Sequence, residues 1–269
     1  MNIVSSADGT KIAYEKQGEG PALILIDGAM CTRNHGAKPE LARLLASRCT
    51  VYLYDRRGRG DSGDTSPYAV EREIEDIEAL IDDGGGTACL FGHSSGAALA
   101  LRAAIALGGK VTGLVMYDAP YNDDPEARRA WQEYLGQLSE ALAEGRNGDA
   151  VAAFMSYVGT PAAQISGMRQ APFWPGLEAI APTLGYDHAA IMGDGSVPTG
   201  LAARVGVRTL VLHGDAGFPF MAVTARTLAQ AIPQAEGRAL AGQTHDIDAA
   251  VLAPVLAGFC GQAGQPVAT

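Results

Sequence analysis

"TACLFGHSSGAALALRAAIAL", residues 87–107, is the stretch of sequence that decides the fold. Its first seven residues are a short apolar run, as expected of a strand buried on both sides. The residues from 95 onward are rich in alanine and leucine and predict a buried helix. The junction reads Gly92-His93-Ser94-Ser95-Gly96, a G-x-S-x-G pattern. A sharp strand-to-helix turn exposes the central serine at the positive end of the helix, so we predict that Ser94 is a nucleophile.

The alternation of strand and helix continues on both sides of this stretch. The amphipathic run EREIEDIEALIDD (71–83) predicts a helix that stops at the three glycines after it. Further short apolar runs predict central strands: PALILID (21–27), TVYLYD (50–55), VTGLVMYD (111–118) and RTLVLHG (208–214). The pattern favours an α/β fold, a mostly parallel twisted sheet with helices on both faces.

The alternation breaks after the sixth strand. Residues 121–204 are helical in pattern, irregular and rich in proline, and they include PFWPG (172–176), which we interpret as an aromatic turn outside the core. We therefore predict a core domain of residues 1–120 and 205–269. The segment 121–204 is expected to form a helical cap over the carboxyl edge of the sheet. The final stretch GQAGQPVAT (261–269) is expected to fray.

Composition restricts the classes of partner. The chain has 269 residues, and we find no run of about 18 apolar residues such as a membrane span requires. The N-terminus has no signal-peptide pattern, so we expect a cytoplasmic protein that does not bind membranes. The formal net charge is −10 and the basic residues are scattered, which argues against nucleic acid. Four cysteines without metal-binding spacing suggest reduced thiols. We predict a small-molecule substrate, no cofactor and no metal ion, and the sequence contains no signal for an oligomeric state.

Two further motifs accompany the G-x-S-x-G turn. YDRRGRGDS (54–62) contains D-x-R-G-x-G-x-S from Asp55 to Ser62, and LAGQTHDID (240–248) contains G-x-x-H. With these motifs the chain resembles α/β-hydrolases of the serine-nucleophile type with a helical cap, over nearly its whole length. The resemblance implies that His245 is the general base, which takes the proton of Ser94 and returns it to the leaving group.

The carboxylate that orients the base has two candidates. In the commoner pattern of the family it follows the strand after the cap, but there the sequence reads GDAGFPF (214–220). Asp215 comes two residues too early, and Gly217 stands at the expected position. Other relatives place the acid at the end of the strand before the cap, where Asp118 lies. We favour Asp118 and keep Asp215 as the alternative.

The loop LIDGAMCT (25–32) takes the place of the family's oxyanion loop. Gly28 is retained, whereas Asp27 replaces the usual histidine, and the backbone N–H groups of Ala29 and Ser95 would be the oxyanion donors. A carboxylate beside an oxyanion opposes catalysis unless it is paired, and Arg56 or Arg57 is the expected partner of Asp27. Several side chains are further candidates to line the pocket, although a packing role is open for each: Asp27, Met30, Cys31, His93, Trp174 and Phe218.

The first functional hypothesis is a hydrolase that cleaves a small ester, lactone or thioester through an acyl-Ser94 intermediate. An extra acid at Asp27 motivates a second hypothesis, a non-hydrolytic lyase or cyclase on the same scaffold. Gly217 motivates a third, a ligand-binding receptor that has lost catalysis. The fold alone does not choose among them.

Overall fold

The computed structural model describes residues 1–261. The predicted mostly parallel sheet with helices on both faces is confirmed. Of the stretch expected to fray, 261–269, all but Gly261 lies outside the described residues.

The described residues form one sheet with the strand order β1-β2-β4-β3-β5-β6-β7-β8. The pairs β1–β2 and β2–β4 are antiparallel, and the other neighbouring pairs are parallel. The strands are β1 (Asn2–Ser5), β2 (Lys11–Gln17), β3 (Ala22–Ile26), β4 (Thr50–Tyr54), β5 (Ala88–His93), β6 (Val111–Tyr117), β7 (Thr209–Gly214) and β8 (Ala235–Leu240).

Helices cover both faces of this sheet. In β3, Leu23 and Leu25 face one core, and Ile24 and Ile26 face the other, as expected for a strand with period two. Helices α1 (Lys38–Leu45) and α10 (Ala249–Cys260) cover the first face. Helices α2 (Val70–Asp83) and α3 (Ser95–Leu107) cover the second, together with the later helix α9 (Pro219–Ala231). A short 3₁₀ turn, Gly108–Lys110, follows α3.

The register of the strands brings the ends of β5 and β6 together. His93 pairs with Tyr117, which in turn pairs with Leu212 of β7. Because parallel strands end at the same edge, the residues that follow these partners, Ser94 and Asp118, lie side by side above the sheet.

The residues between β6 and β7 form a helical insertion (residues 121–204). Its elements are α4 (Pro125–Ala143), α5 (Asn147–Tyr157), α6 (Ala162–Met168), α7 (Trp174–Ile180), a π-helix (Gly185–Ile191) and α8 (Thr199–Ala202). The π-helix contacts α2 and α3, so it joins the insertion to the core.

The prediction of an aromatic turn over residues 172–176 is wrong for its second half. Trp174 begins α7, and only 4% of its surface is exposed, because the indole is packed inside the insertion. Within residues 1–261, no helix combines the length and the apolar character that crossing a membrane requires.

Candidate active site

Ser94 lies on the sharp turn between β5 and α3. Its backbone has φ 57° and ψ −128°, a strained conformation for a residue with a side chain, and its N–H donates to Tyr117 O over 3.0 Å. The glycines on either side permit this turn. A Cβ atom on Gly92 would overlap the backbone of Gly96, and one on Gly96 would overlap the carbonyl oxygen of Ile26. The turn therefore needs glycine at both positions, and it leaves Ser94 half-buried.

Asp118 and His245 meet next to this turn. His245 Nδ1 lies 3.1 Å from Asp118 Oδ2, while Asp118 Oδ1 accepts from the N–H of Gly214 over 3.1 Å. The Asp118 carboxylate is fully buried, and the His245 side chain is 30% exposed. A carboxylate only accepts, so Nδ1 of His245 carries the hydrogen and Nε2 is left free to accept a proton.

Ser94 and His245 make no direct hydrogen bond with each other in the part of the chain that the structure describes. Such bonds are often long in enzymes without substrate and tighten in the complex.

The alternative acid, Asp215, makes no hydrogen bond or ion pair with His245 within residues 1–261. It is exposed, and its Oδ1 accepts from the N–H of Gly242 over 2.6 Å, which links the loop after β7 to the loop after β8. Gly217 lies beside the loop that carries the base, because a Cβ atom there would lie 3.4 Å from the backbone nitrogen of His245. The structure thus brings Asp118, and not Asp215, to the histidine.

His93 supports the loop that carries His245. Its Nε2 donates to the carbonyl oxygen of His245 over 2.9 Å, and the two ring centroids are 4.8 Å apart. Burial, and next the nearby His245 ring, holds the pKa of His93 well below its ordinary value of 6.5. The ring is therefore neutral, and the hydrogen bond to His245 O assigns its hydrogen to Nε2. Its buried Nδ1 has no hydrogen-bond partner among the described residues.

The expectation that Arg56 or Arg57 pairs with the Asp27 side chain is wrong. Lys38 Nζ, at the start of α1, lies 2.6 Å from Asp27 Oδ1, and both side chains are buried. Arg56 instead donates to the backbone oxygen of Asp27, and Arg57 pairs with Asp76. Burial alone would lower the pKa of Lys38, but its acidic neighbours, Asp27 foremost, outweigh burial and raise it. The lysine therefore supplies the positive charge that Asp27 needs.

Gly28 lies against the nucleophile, because a Cβ atom on it would be 2.9 Å from Ser94 Cβ. The next residues, Ala29, Met30 and Cys31, are half-buried, and Met30 has a left-handed backbone with φ 61°. Burial raises the pKa of the Cys31 thiol, so it stays protonated and is a poor nucleophile.

The remaining pocket candidates lie in different places. Phe218 is 47% exposed, and its ring centroid is 6.3 Å from that of His245. Trp174 lies within the helical insertion, where its indole N–H donates to Glu178 over 2.9 Å. Among the described residues, Trp174 makes no hydrogen bond or cation–π contact with Ser94 or His245.

Sequence reasoning missed a buried charge cluster under the oxyanion loop. Asp187, on the π-helix, accepts from Arg56 Nη1 over 2.6 Å, from Ser95 Oγ over 2.8 Å and from Arg59 Nη2. Arg56 also forms a two-pronged ion pair with Glu73. The run of arginines after β4 was the available signal, since buried arginines need buried carboxylates. It does not say which acids supply them.

Comparison with protein families identifies the class of protein to which the chain belongs. The alpha/beta hydrolase family matches residues 34–256, which is most of the chain. The chain therefore belongs to the alpha/beta hydrolase family.

Individual proteins are similar over different shares of the chain. The crystal structure of an alpha/beta hydrolase from Sphaerobacter thermophilus DSM 20745 is 47% identical with a TM-score of 0.83, over 96% of this chain and 99% of that one. The esterase RhEst1 from Rhodococcus sp. ECU1013 has a TM-score of 0.70, covering 98% and 99% of the two chains. Its identity is 20%, so this likeness concerns the fold.

Protein phosphatase methylesterase 1 of Mus musculus is 29% identical over 129 residues. That match takes in 45% of this chain and 33% of the mouse protein, so it spans about a third of the relative's length.

Proposed function

We propose that the protein is a serine hydrolase that cleaves a small ester, lactone or thioester through an acyl-Ser94 intermediate. The observation that carries this proposal is the hydrogen bond of 3.1 Å between His245 Nδ1 and the buried Asp118 carboxylate, beside the strained turn of Ser94. The methylesterase name of the mouse protein supports an ester-type bond.

In the proposed mechanism, Ser94 Oγ attacks the acyl carbon while His245 Nε2 accepts its proton. The carbonyl oxygen becomes an oxyanion that the N–H groups of Ala29 and Ser95 stabilise. When the tetrahedral intermediate collapses, the bond to the leaving group breaks and His245 returns the proton to that group. Water then attacks the acyl-enzyme with His245 again as base, which releases the acid and restores Ser94.

Asp118 acts through the histidine in this scheme. Its carboxylate keeps the hydrogen of His245 on Nδ1, so that Nε2 on the other side of the ring is free to accept the proton of Ser94. The same carboxylate stabilises the imidazolium that forms during attack. The hydrogen bond from Gly214 fixes the carboxylate itself.

We also propose that the helical insertion serves as the cap of the enzyme. On this view residues 1–120 and 205–269 are the core domain, and residues 121–204 cover the edge where Ser94 lies. The contacts of the π-helix with α2 and α3 support this assignment.

The two alternative functions lose the features that suggested them. The lyase or cyclase hypothesis was motivated by an extra acid at Asp27, but this carboxylate is buried and paired with Lys38. The receptor hypothesis was motivated by Gly217, which stands where the acid is expected, but Asp118 supplies the histidine with a carboxylate from the end of another strand. Both observations support the hydrolase.

A fluorophosphonate probe and a set of 4-nitrophenyl esters, lactones and thioesters test the proposal. We expect labelling of Ser94, seen by mass spectrometry, and hydrolysis of at least one substrate class. Asp118→Asn should lower kcat by about 10²–10⁴-fold, because the histidine loses its orienting anion. Asp215→Asn is the matched control, since it changes an exposed turn carboxylate, and it should retain activity. A folded wild type that is neither labelled nor active would overturn the proposal.

A further inference from the structure

Two buried arginines donate hydrogen bonds to backbone carbonyl oxygens of the oxyanion loop. Arg56 Nη1 donates to the carbonyl oxygen of Asp27 over 3.0 Å, and Arg59 Nη1 donates to that of Gly28 over 2.6 Å. Both arginine side chains are almost completely buried. Burying a guanidinium is costly unless it is paired, and both arginines share the buried Asp187 as a carboxylate partner.

The contact of Arg59 fixes the direction of one particular N–H group. The carbonyl of Gly28 and the N–H of Ala29 belong to the same planar trans peptide and point in opposite directions. A guanidinium that holds the carbonyl therefore aims the N–H of Ala29 the other way. Gly28 itself lies against Ser94, so this peptide borders the nucleophile. A cation on the carbonyl also polarises the peptide, which makes its N–H a stronger donor.

Asp187 connects this peptide to the second donor of the site. One carboxylate oxygen accepts from Ser95 Oγ over 2.8 Å and from Arg56, and the other accepts from Arg59. Ser95 is the first residue of α3, and its backbone N–H is the other proposed oxyanion donor. A single carboxylate from the helical insertion thus contacts the groups that fix both donors.

Asp187 is held on an unusual element. It lies on the π-helix, a rare form of helix that is frequent at functional sites. Burial opposes its ionisation, but Arg56 and Arg59 lower the pKa of Asp187 from 3.8 to about 2. The carboxylate is therefore charged over the whole range in which a histidine base works.

We propose that Asp187 and Arg59 are positioning residues that orient the backbone N–H groups of Ala29 and Ser95 toward the oxyanion. Neither side chain touches the reacting atoms in this scheme. The inference rests on the proposed function, since it assigns these residues to the oxyanion site of the serine hydrolase.

Asp187→Asn tests the proposal because it keeps the shape of the side chain and removes its charge. With the best 4-nitrophenyl ester as substrate, we expect kcat/KM to fall about 10-fold to 100-fold. This loss should not exceed the one caused by removing an oxyanion donor completely, because the donors stay in place and are only less well oriented. Butaneboronic acid supplies a second readout, since it forms a tetrahedral adduct on the serine. Its Ki should rise by a similar factor. A variant that only folds less completely would lose kcat without any change in that Ki.

Asp76→Asn is the matched control. Asp76 is as buried as Asp187 and forms a two-pronged pair with Arg57, in the same arginine run, but Arg57 contacts neither carbonyl of the oxyanion loop. We expect this variant to lose stability while the Ki of the boronic acid stays at the wild-type value.

Arg59→Lys covers the case in which Asp187→Asn does not fold. Lysine keeps the positive charge but lacks the planar fork that reaches Gly28 O and Asp187 together. The Ki of butaneboronic acid should again rise, by about fivefold or more. An unchanged Ki in this variant would overturn the positioning role.

The failures of the two proposals are distinguishable. A wild type without ester hydrolysis and without labelling at Ser94 contradicts the serine hydrolase itself. A wild type with both activities, but with Asp187→Asn equal to Asp76→Asn in kcat/KM and Ki, overturns the inference alone.

Discussion

Asp118 has a left-handed backbone with φ 47°, which costs a residue other than glycine about 1–2 kcal/mol. Three hydrogen bonds compensate for this strain. Its N–H donates to Leu212 O over 3.0 Å, and its carboxylate accepts from Gly214 and His245. The neighbouring strand β7 thus holds the residue in the conformation that turns its carboxylate toward the histidine.

At the residue scale, Gly217 offers a second place for the acid. A Cβ atom there would be 3.4 Å from the backbone nitrogen of His245, an ordinary contact. We expect Gly217→Asp, introduced into Asp118→Asn, to recover about 10-fold in kcat, because the new carboxylate lies near the same imidazole. The measurement is kcat for the best ester in both backgrounds.

Gly217→Asn in the same background is the control, since it adds similar bulk without charge. Equal rates for the Asp and Asn versions would show that position 217 does not supply an orienting anion.

The roles of single residues were predictable to different degrees. The placement of Ser94 and His245 follows from short motifs, because the chemistry needs a tight turn in one case and a loop after a strand in the other. Asp118 emerged as the favoured of two acids from its position after β6. Lys38 and Asp187 had no such signal, since the partner of a buried charge depends on which surfaces meet in three dimensions.

At the scale of elements, the close approach of α3 to β3 explains the second glycine of the nucleophile turn. A Cβ atom on Gly96 would overlap the carbonyl oxygen of Ile26, and Asp27 lies beside it. We expect Gly96→Ala to lower the free energy of unfolding by about 1–3 kcal/mol, because the first turn of the helix must move away from the strand. Urea denaturation measures the change.

Gly136→Ala is the matched control within a helix. Gly136 is exposed in α4, with no atom within 4 Å of an added Cβ. The substitution should raise the free energy of unfolding by about 0.5–1 kcal/mol, since alanine is the better helix former. A Gly96→Ala protein as stable as the wild type would contradict the close approach of α3.

Elements with a strong pattern were predictable, and those fixed by packing were not. The runs 71–83 and 95–107 match α2 and α3 within a residue at each end, because period and stop signals agree there. The beginning of α7 at Trp174 and the π-helix were missed. Both lie in the helical insertion, where prolines and contacts between helices outweigh local preference.

At the scale of the whole molecule, buried neutral histidines connect folding to pH. His188 is 5% exposed, and its Nδ1 is hydrogen-bonded to the hydroxyl of Tyr134 over 2.6 Å. Burial is the largest influence and lowers the pKa of His188 from 6.5 to about 4, whereas Asp187 opposes the shift. His93, as described above, is also held neutral.

Stability should consequently fall as the pH is lowered from about 6.5 to about 4. In this window the unfolded chain binds a proton at His188 that the folded protein does not, which costs about 1.4 kcal/mol for each pH unit. We expect His188→Gln to reduce the slope of the unfolding free energy against pH by about one proton, with His93 maintaining part of it. Urea denaturation between pH 4.5 and 7 measures this slope.

Tyr134→Phe breaks the same hydrogen bond but keeps the imidazole, so it should retain the wild-type slope. Equal slopes for His188→Gln and the wild type would show that His188 does not carry the acid sensitivity.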